Sequence, residues 1–555
     1  MPGFVSEERL AYGPWQAFER MVARLVKHAG FRDVALVGGA GDHGADVVGV
    51  SGGKCWVLQA KFRSNGGVDD NGAREAVWAL GKYEAQIAIV VSNQDFYPNA
   101  YNFLAAQKDA GVDVRAWNGG HLLRYYDKLP SDSLGYKSPR GYQAEAIDAV
   151  EALRGQGKQR ALVLMATGLG KSLVANQLIA KEFHRNPEQE VLVLAHMTEL
   201  VRQLEFSSWS QLPKECSTHL WTDGERPAHP GGVVFATWQS LNAAIERGDD
   251  LSGRFGLAIV DEAHHAPSNS FSNLIDHLDP NFLIGLTATP WRGDDRDITE
   301  LFGEPAYTMD IVDGMQQGYL AEVDYRMLTD GINWDEIART SINGLTIKDL
   351  NQRLLVPERD LAMVQAVCSK MAQMESLQAL AFCRSIDHAE RLRPLFAAEG
   401  VKAALMHSGL SREQRFKNLS AFRMGKIDML ISIEMLNEGI DVPDVNLVAF
   451  MRVTHSRRIF LQQLGRGLRV SAKKDKVLVL DFVADIRRVA AGLSLNQSAR
   501  ENATGVEVVR YRDGAIVTFE NDQPATFFRK YLADVAKIED ADEGARLRFP
   551  GGEAF

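Results

Sequence analysis

Glycine, lysine and hydroxyl residues that could bind phosphate follow an apolar run in LVLMATGLGKSLVANQLI, residues 162–179. A glycine-rich turn between a strand and a helix presents backbone N–H groups and a helix N-terminus to phosphates. We expect Lys171 to contact the β- and γ-phosphates of a nucleotide and the Ser172 hydroxyl to ligate Mg²⁺. Met165 stands at the first glycine of the general G-x-x-x-x-G-K-[ST] pattern. A turn that uses glycine only for packing is therefore an alternative for this segment alone.

Two adjacent carboxylates, Asp261 and Glu262, end a second apolar run in LAIVDEAHH. One carboxylate of such a pair can hold Mg²⁺, commonly through water, while its neighbour orients and deprotonates an attacking water. Ligands of open parallel sheets bind at the carboxyl ends of strands, so we expect the pair beside the glycine-rich turn. Arg466 and Arg469 in QQLGRGLR lie three residues apart on a predicted helix and can stabilise charge on a transferring phosphoryl group. In isolation, the first pair also fits a helix cap and the second a solvated helix face.

A third set of polar residues lies in GADVVGVSGGKCWVLQAKF, residues 44–62, which we predict to be two strands joined by a Ser-Gly-Gly-Lys turn. Gln59 and Lys61 are two apart and share one face, which Asp46 approaches across the hairpin. A metal-dependent nuclease needs carboxylates for Mg²⁺ and a cation near the attacking water and the scissile phosphate. Glu19, on an amphipathic helix upstream, is suited to add a second carboxylate or to position the site, although an ordinary polar helix face has the same pattern.

The elements that must position these residues fall into several α/β domains. The chain has 555 residues, of which 45% are hydrophobic and 24% charged, so three or four globular domains are expected. Residues 1–130 combine helices, a hairpin and short strands. Residues 131–325 alternate short apolar runs with amphipathic stretches, which is typical of parallel sheets. Residues 326–490 begin with a less regular connector and then show the same alternation. Residues 491–555 form a small C-terminal extension of unknown role.

Composition excludes several classes of protein. The apolar runs are much shorter than a bilayer span, and the first residues lack the pattern of a signal peptide, so we expect a cytoplasmic protein without a membrane partner. The formal net charge of −10 does not exclude nucleic acid, because basic residues cluster locally in THSRRIFLQQLGRGLRV. The cysteines form no Cys-x-x-Cys pair, which argues against a zinc module or a disulfide framework. They are Cys55, Cys216, Cys368 and Cys383.

Residues from about 138 to 485 resemble a superfamily 2 helicase core of the DEAH-box kind, with the motifs in the expected order. The resemblance implies two tandem RecA-like domains that bind ATP and Mg²⁺ between them. It assigns adenine recognition to RGYQ, the Walker A and B roles to ATGLGKS and DEAHH, and coupling of hydrolysis to movement to His264 and to TAT, Thr287 to Thr289. The nucleotide-binding residues implied are Arg140, Gln143, Thr167, Gly168, Gly170, Lys171, Ser172, Asp261, Gly439 and Asp441, with Ser172 and Asp261 on the metal. The catalytic residues implied are Glu262, Arg466 and Arg469, with Gln462 in the same motif.

The same resemblance implies that nucleic acid crosses both RecA-like domains. Thr198, Thr237 and His407 lie in the segments that would contact the nucleic-acid backbone or support that contact. ISIEMLNEG departs from the family pattern, in which a Thr precedes an Asp. Ile433 and Glu434 stand at those places, with Ser432 one position earlier.

Residues 14–128 resemble the Mrr-type restriction endonucleases within the PD-(D/E)xK nuclease fold. Glu19, Asp46, Gln59 and Lys61 follow the order of that family, which implies a catalytic role for all four and a metal-binding role for Asp46. Gln59 stands where many members of the wider fold have Glu, which would remove one anionic metal ligand. An inactive nuclease-like domain that only grips DNA is the alternative.

Together these features predict an ATP-dependent DNA helicase or translocase coupled to a Mg²⁺-dependent DNA endonuclease, used in restriction of or defence against foreign DNA. The predicted partner is DNA, double-stranded and tracked along one strand, and a separate defence protein is left open. One alternative keeps the ATPase and makes the N-terminal domain a recruitment platform. Another directs the motor to RNA, because such cores contact mainly the backbone.

Overall fold

The computed structural model describes residues 3–38, 44–222, 224–266, 269–288, 298–328, 360–374, 378–383, 385–433, 445–451, 476–482 and 517–519. The chain divides into two compact units. The first contains Met1–Leu164, Gly170–Pro290 and Arg296–Thr308, and the second contains Met165–Leu169, Trp291–Asp295 and Met309–Phe555. No helix in the described parts is long and apolar enough to cross a bilayer.

The first unit begins with a five-stranded sheet in the order β1-β2-β3-β4-β5. The first two pairings are antiparallel and the last two parallel. Its strands are β1 Arg32–Leu36, β2 Val47–Ser51, β3 Lys54–Lys61, β4 Ile87–Ser92 and β5 Val114–Trp117. Its helices are α1 Glu7–Tyr12, α2 Trp15–His28, α3 Asp70–Tyr83, α4 Pro98–Asp109 and α5 Gly119–Lys128.

The predicted hairpin is confirmed as β2 and β3. Ser51 pairs with Lys54, so the loop has two residues, Gly52 and Gly53, with φ of 58° and 74°. Two successive positive φ angles are characteristic of the tight turns that match strand twist, and glycine adopts them without strain. Helix α2 packs its apolar stripe, which includes Phe18, Val22 and Leu25, into the core of the same sheet.

The first unit also holds most of a seven-stranded sheet in the order β12-β6-β11-β10-β7-β9-β8, whose described pairings are parallel. Strands β7, β9 and β11 are buried throughout, as expected where helices cover both faces. The strands are β6 Arg160–Met165, β7 Glu190–Ala195, β8 Thr218–Trp221, β9 Val233–Thr237, β10 Phe255–Asp261, β11 Phe282–Thr287 and β12 Pro305–Met309. The helices are α6 Gly141–Gly155, α7 Lys171–Arg185, α8 Thr198–Ser208, α9 Trp238–Glu246, a 3-10 turn Ala263–His265, α10 Asn269–Leu278 and α11 Thr299–Phe302.

The second unit contains another seven-stranded sheet, in the order β15-β16-β14-β17-β18-β13-β19, with parallel pairings. Its edge strand β19 comes from the segment predicted to be a C-terminal extension. The strands are β13 Glu322–Leu328, β14 Ala379–Cys383, β15 Ala403–Met406, β16 Met429–Ser432, β17 Leu447–Met451, β18 Lys476–Phe482 and β19 Val517–Phe519. The helices are α12 Ile311–Gln316, α13 Asp360–Met371, α14 Ile386–Ala398 and α15 Arg412–Arg423. The α/β prediction with parallel sheets is therefore confirmed, whereas the boundaries at residues 130, 325 and 490 stay predictions.

Candidate active sites

Asp46 and Gln59 lie side by side at the end of the β2–β3 hairpin that is far from its turn. The Asp46 N–H donates to the Leu58 carbonyl at 3.0 Å, which extends the hairpin ladder to these residues. Gln59 Nε2 donates to Asp46 Oδ2 at 2.9 Å, and the Ala60 N–H donates to the same oxygen at 2.7 Å. Both side chains are 3% exposed. Two donors on one oxygen therefore fix the orientation of this buried carboxylate.

Glu19 of α2 approaches the same place across Gly38. A Cβ at Gly38 would lie 2.9 Å from Asp46 Oδ1 and 3.2 Å from Glu19 Oε2, so the two carboxylate oxygens are at most about 6 Å apart. Any larger residue at this position would press against both carboxylates. The structure thus brings Glu19 to the hairpin as predicted from the amphipathic pattern, while the requirement for glycine at position 38 was not predicted.

Lys61, at the end of β3, pairs with a residue that sequence reasoning missed. Its Nζ lies 2.5 Å from Glu75 Oε2 of α3, and the two side chains are 25% and 46% exposed. Glu75 carries no signal in the sequence, because an acidic residue on a helix surface is ordinary. The contact shows that the lysine is partly open to solvent and already engaged with a carboxylate.

The side-chain oxygens of Asp46, Gln59 and Glu19 are suitable ligands for a hard cation such as Mg²⁺. Gln59 Oε1 is buried and has no hydrogen-bond partner among the described residues, which is costly for an amide oxygen. Its orientation is fixed because the Nε2 of the same amide is committed to Asp46. Within the described ranges, no group of three or more His, Cys, Asp and Glu side chains could hold a metal. A metal site here therefore needs the Gln59 amide oxygen together with the carboxylates of Asp46 and Glu19.

The glycine-rich turn lies between β6 and α7 as predicted. Gly168 and Gly170 have φ of 96° and 85°, a conformation that side chains other than glycine rarely adopt. A Cβ on Gly170 would also lie 2.5 Å from Gln143 Nε2, so the glutamine side chain packs directly on the turn. Gln143 Oε1 in turn accepts from the Arg140 N–H at 2.9 Å. The glutamine expected to recognise adenine therefore packs against the glycine-rich turn.

Lys171 and Glu262 face each other at the carboxyl ends of β6 and β10. Lys171 Nζ lies 3.9 Å from Glu262 Oε1, and the two side chains are 9% and 13% exposed. Glu262 has φ 48° and ψ 52°, a left-handed conformation that costs about 1 kcal/mol or more for a residue with a side chain. Such outliers cluster at functional sites. The prediction that the Asp-Glu pair lies in register with the glycine-rich turn is thus consistent with the observed geometry.

His264 continues this chain of contacts into the sheet. Its Nδ1 lies 3.4 Å from Glu262 Oε2 and 2.7 Å from Thr287 Oγ1. Both His264 and Thr287 are fully buried. The contacts thus join the glycine-rich turn, the Asp-Glu pair and the first Thr of the TAT segment into one polar network.

Four further residues are predicted to bind nucleotide. Asp261 is the last residue of β10 and pairs with Leu286 of β11, while Ser172 is the second residue of α7. Thr167 Oγ1 is buried and has no hydrogen-bond partner in the described part of the chain. Arg140 is exposed at the start of α6.

Three known families match consecutive parts of the chain. The restriction endonuclease family matches residues 11–126, the res subunit family of type III restriction enzymes matches 136–292, and the helicase conserved C-terminal domain matches 362–471. The chain joins an Mrr-type restriction endonuclease domain to a superfamily 2 helicase core. Residues 11–126 are called the nuclease domain below, and residues 136–292 and 362–471 the helicase core.

Two curated relatives match between about two thirds and three quarters of the chain. The putative ATP-dependent helicase IRC3 of Saccharomyces cerevisiae is 25% identical over 429 residues, which are 74% of this chain and 61% of that protein. The type I restriction enzyme EcoAI endonuclease subunit of Escherichia coli is 26% identical over 394 residues, which are 64% of this chain and 47% of that subunit. The chain thus spans about half to three fifths of the length of these relatives.

A solved structure shows the same fold over nearly the whole chain. The ATP-dependent type ISP restriction-modification enzyme LlaBIII bound to DNA matches 94% of this chain and 42% of its own, with a TM-score of 0.54 and 16% identity. At this identity the likeness establishes the fold.

The residues predicted to contact nucleic acid have different surroundings. Thr198 begins α8 and is partly exposed. Thr237 is buried and its side chain accepts from the Ser240 N–H at 3.4 Å, so it caps α9. In the second unit His407 is 6% exposed, and Ser432, at the end of β16, is fully buried with Oγ unpaired among the described residues. Ile433 packs at the edge of the core of that unit.

Several predicted residues of the helicase core lie outside the described residues, and their roles stay predictions. They are Thr289, Glu434, Gly439, Asp441, Gln462, Arg466 and Arg469.

Proposed function

We propose that the chain is an ATP-dependent DNA translocase or helicase whose nuclease domain cuts DNA with Mg²⁺, acting in the cytoplasm in restriction of foreign DNA. The observation that carries the nuclease half is the buried Asp46–Gln59 pair, in which Gln59 Oε1 is held in place without a protein partner. A domain that only grips DNA has no need to bury an unsatisfied amide beside a carboxylate, because that arrangement costs stability.

In the ATPase, Lys171 would exchange Glu262 for the β- and γ-phosphates when nucleotide binds. The 3.9 Å separation in the structure makes this a weak pair that phosphate oxygens can displace. Ser172 and Asp261 would hold Mg²⁺, and the released Glu262 would orient and deprotonate the attacking water. His264 contacts both Glu262 and Thr287, so a change at the carboxylate reaches the end of β11 directly.

In the nuclease domain, Asp46, Gln59 and Glu19 would hold the metal through oxygen atoms. The bound metal would supply an activated water and stabilise charge on the scissile phosphate. Lys61 would bind that phosphate, leaving Glu75 as the negatively charged DNA approaches. The Gln59 N–H to Asp46 bond keeps both ligands in place before the metal arrives.

DNA is proposed as the substrate because all three matched families are of restriction or helicase type and the nuclease domain follows restriction endonucleases. The core would track one strand of a duplex. Comparing ATPase stimulation by matched DNA and RNA strands tests this, since stimulation by RNA alone would contradict a DNA motor.

The decisive experiment incubates supercoiled plasmid with Mg²⁺, with and without ATP, using the wild type, Asp46→Ala and Lys171→Ala. Nicking or linearisation that disappears in Asp46→Ala supports a nuclease activity of this domain. Loss of cleavage in Lys171→Ala would mean that cutting requires the ATPase motor. If no cleavage occurs under any condition while DNA-stimulated ATPase remains, the nuclease half of the proposal is wrong. The matched control is Asp127→Ala, an exposed carboxylate within α5.

A further inference from the structure

Helix α2 has a second face, opposite its apolar stripe, that packs on the helicase core within the first unit. Lys27 Nζ donates to the Phe206 carbonyl of α8 at 2.5 Å and lies 3.5 Å from the centroid of the Phe206 ring. Trp209, which follows α8, is 1% exposed and belongs to the core of the nuclease domain. The two domains therefore share a buried interface, and α2 carries both Glu19 and this interface.

A cavity of about 60 Å³ lies in this interface, between the start of the chain and α2 on one side and the segment from Glu205 to His229 on the other. We call it the interface cavity. A cavity of this size holds roughly four water molecules or one tetrahedral oxyanion. Its lining includes Arg9, Arg20 and Arg24.

The acidic residues of the interface cavity are already committed to one of these arginines. Arg20 Nε lies 3.3 Å from Glu205 Oε2, and Arg20 Nη1 donates to Glu225 Oε2. Glu205 also accepts from Thr218 Oγ1 at 2.9 Å. The two carboxylates carry two negative charges against the one of Arg20, and Glu205 also acts electrostatically on Arg24.

Arg24 is buried without a carboxylate of its own. It is 2% exposed, its Nη2 donates to the Cys216 carbonyl at 2.7 Å, and its guanidinium lies 4.2 Å from the Phe4 ring centroid. No acidic side chain lies within ion-pair distance of it in the described part of the chain, and its Nε and Nη1 have no hydrogen-bond partner there. A buried cation with unused donors is costly unless an anion joins it.

Arg9 is partly buried and has one unused donor of the same kind. Its Nε is buried and unpaired among the described residues, while its Nη2 lies 3.5 Å from His219 Nε2. Burial, with the positive charge of Arg9 next in effect, lowers the pKa of His219 to about 3, so this ring is neutral at physiological pH. Burial lowers the pKa of Arg24 to about 10, which keeps the guanidinium charged. Four arginines line the interface cavity against two glutamates, Glu205 and Glu225, so its lining has a surplus of positive side chains.

We propose that the interface cavity binds a small tetrahedral oxyanion, orthophosphate or the phosphate group of a monoester, between Arg9 and Arg24. Guanidinium groups match phosphate oxygens in charge and in the geometry of their N–H donors. The bound anion offsets the surplus and bridges α1 and α2, and Arg226 of the helicase core lines the same cavity. This site is separate from the glycine-rich turn and from the nuclease hairpin, and it does not depend on the activity of either.

The test uses the full chain carrying Lys171→Ala, which removes the main phosphate contact of the glycine-rich turn. Orthophosphate is titrated in chloride buffer at constant ionic strength, by calorimetric binding and by thermal unfolding. We expect saturable binding and a Tm increase of about 2 °C or more at saturation. Adding Arg9→Gln should raise the apparent Kd for orthophosphate about tenfold, because a charged hydrogen bond to the anion is lost. Adding Arg32→Gln, an exposed arginine of β1 outside the interface cavity, should leave it unchanged.

A second variant, Arg226→Gln, tests the proposal if Arg9→Gln does not fold. Arg226 lines the interface cavity with a side chain that is 49% exposed, so Arg226→Gln should fold and weaken binding about threefold. Glycerol phosphate in place of orthophosphate distinguishes a monoester from the free ion, and binding of either supports the site. No saturable binding in the Lys171→Ala background would show that water alone fills the cavity. Equal binding by the Arg9→Gln and Arg32→Gln chains would show that phosphate binds elsewhere, and either result would overturn the proposal.

Discussion

The proposed nucleotide site and the proposed nuclease site would both bind phosphate and a metal, yet they are built in different ways. The proposed nucleotide site brings together Lys171 from the start of α7, Glu262 after β10 and Thr287 at the end of β11. Lys171 lies beside Glu262, and His264 contacts both Glu262 and Thr287. The nuclease site places Asp46, Gln59 and Lys61 on a single hairpin and leaves Gln59 Oε1 unpaired.

The difference shows what each site needs before its ligand arrives. A network of paired charges is stable by itself and must be broken by nucleotide, which suits a site that alternates between states. A rigid hairpin with an unpaired oxygen is pre-organised for one ligand and gains stability when that ligand binds. Three substitutions test this contrast, from the largest expected effect to the smallest.

Glu262→Gln should abolish most ATP turnover while leaving nucleotide binding intact. The substitution keeps the size of the side chain but removes the proposed base that deprotonates water, so kcat should fall by about 10²–10⁴-fold with little change in KM. Steady-state phosphate release in saturating DNA measures it, and Glu246→Gln on the exposed end of α9 is the matched control. An unchanged kcat would mean that Glu262 only pairs with Lys171 and that another group activates water.

Gln59→Glu tests whether Asp46 and Gln59 bind a metal or form only a buried polar pair. The new carboxylate loses the N–H that Gln59 donates to Asp46 and sets two negative charges side by side, so the Tm in EDTA should fall by about 2–4 °C. Mg²⁺ should restore the Tm, because the site then offers one more anionic ligand. Thermal unfolding in EDTA and in Mg²⁺ measures both effects, with the exposed Gln156→Glu as control. Destabilisation that Mg²⁺ does not relieve would argue against a metal between these residues.

The hairpin and the glycine-rich turn could be predicted because their signals are local. The Gly-Gly loop sets the register that places Asp46 by Gln59, and the strand-turn-helix pattern around Lys171 is contained within about twenty residues. The contacts of Gln143 with Gly170 and of Lys61 with Glu75 join elements distant in the chain. Packing of α2 on α8 through Lys27 is likewise tertiary. Neither the hydrophobic periodicity nor a sequence motif predicts these tertiary contacts, because charged residues on a helix face occur both at solvent-exposed surfaces and at interfaces.

Glu75→Gln should produce the smallest effect and decide what its pair with Lys61 does. The two side chains are partly exposed, so stability should change by less than about 1 kcal/mol. Removing the carboxylate 2.5 Å from Lys61 Nζ takes away a repulsion toward DNA phosphates, so the Kd for a short duplex should fall about twofold to fivefold. Fluorescence anisotropy in Ca²⁺ at two salt concentrations measures this, with the exposed Glu145→Gln as control. Because the gain is electrostatic, added salt should erase it. Weaker DNA binding by Glu75→Gln would instead mean that Glu75 orients Lys61 toward the phosphate. The hairpin would then need a side chain from α3 to hold its lysine in place, much as the proposed nucleotide site relies on contacts among its polar side chains.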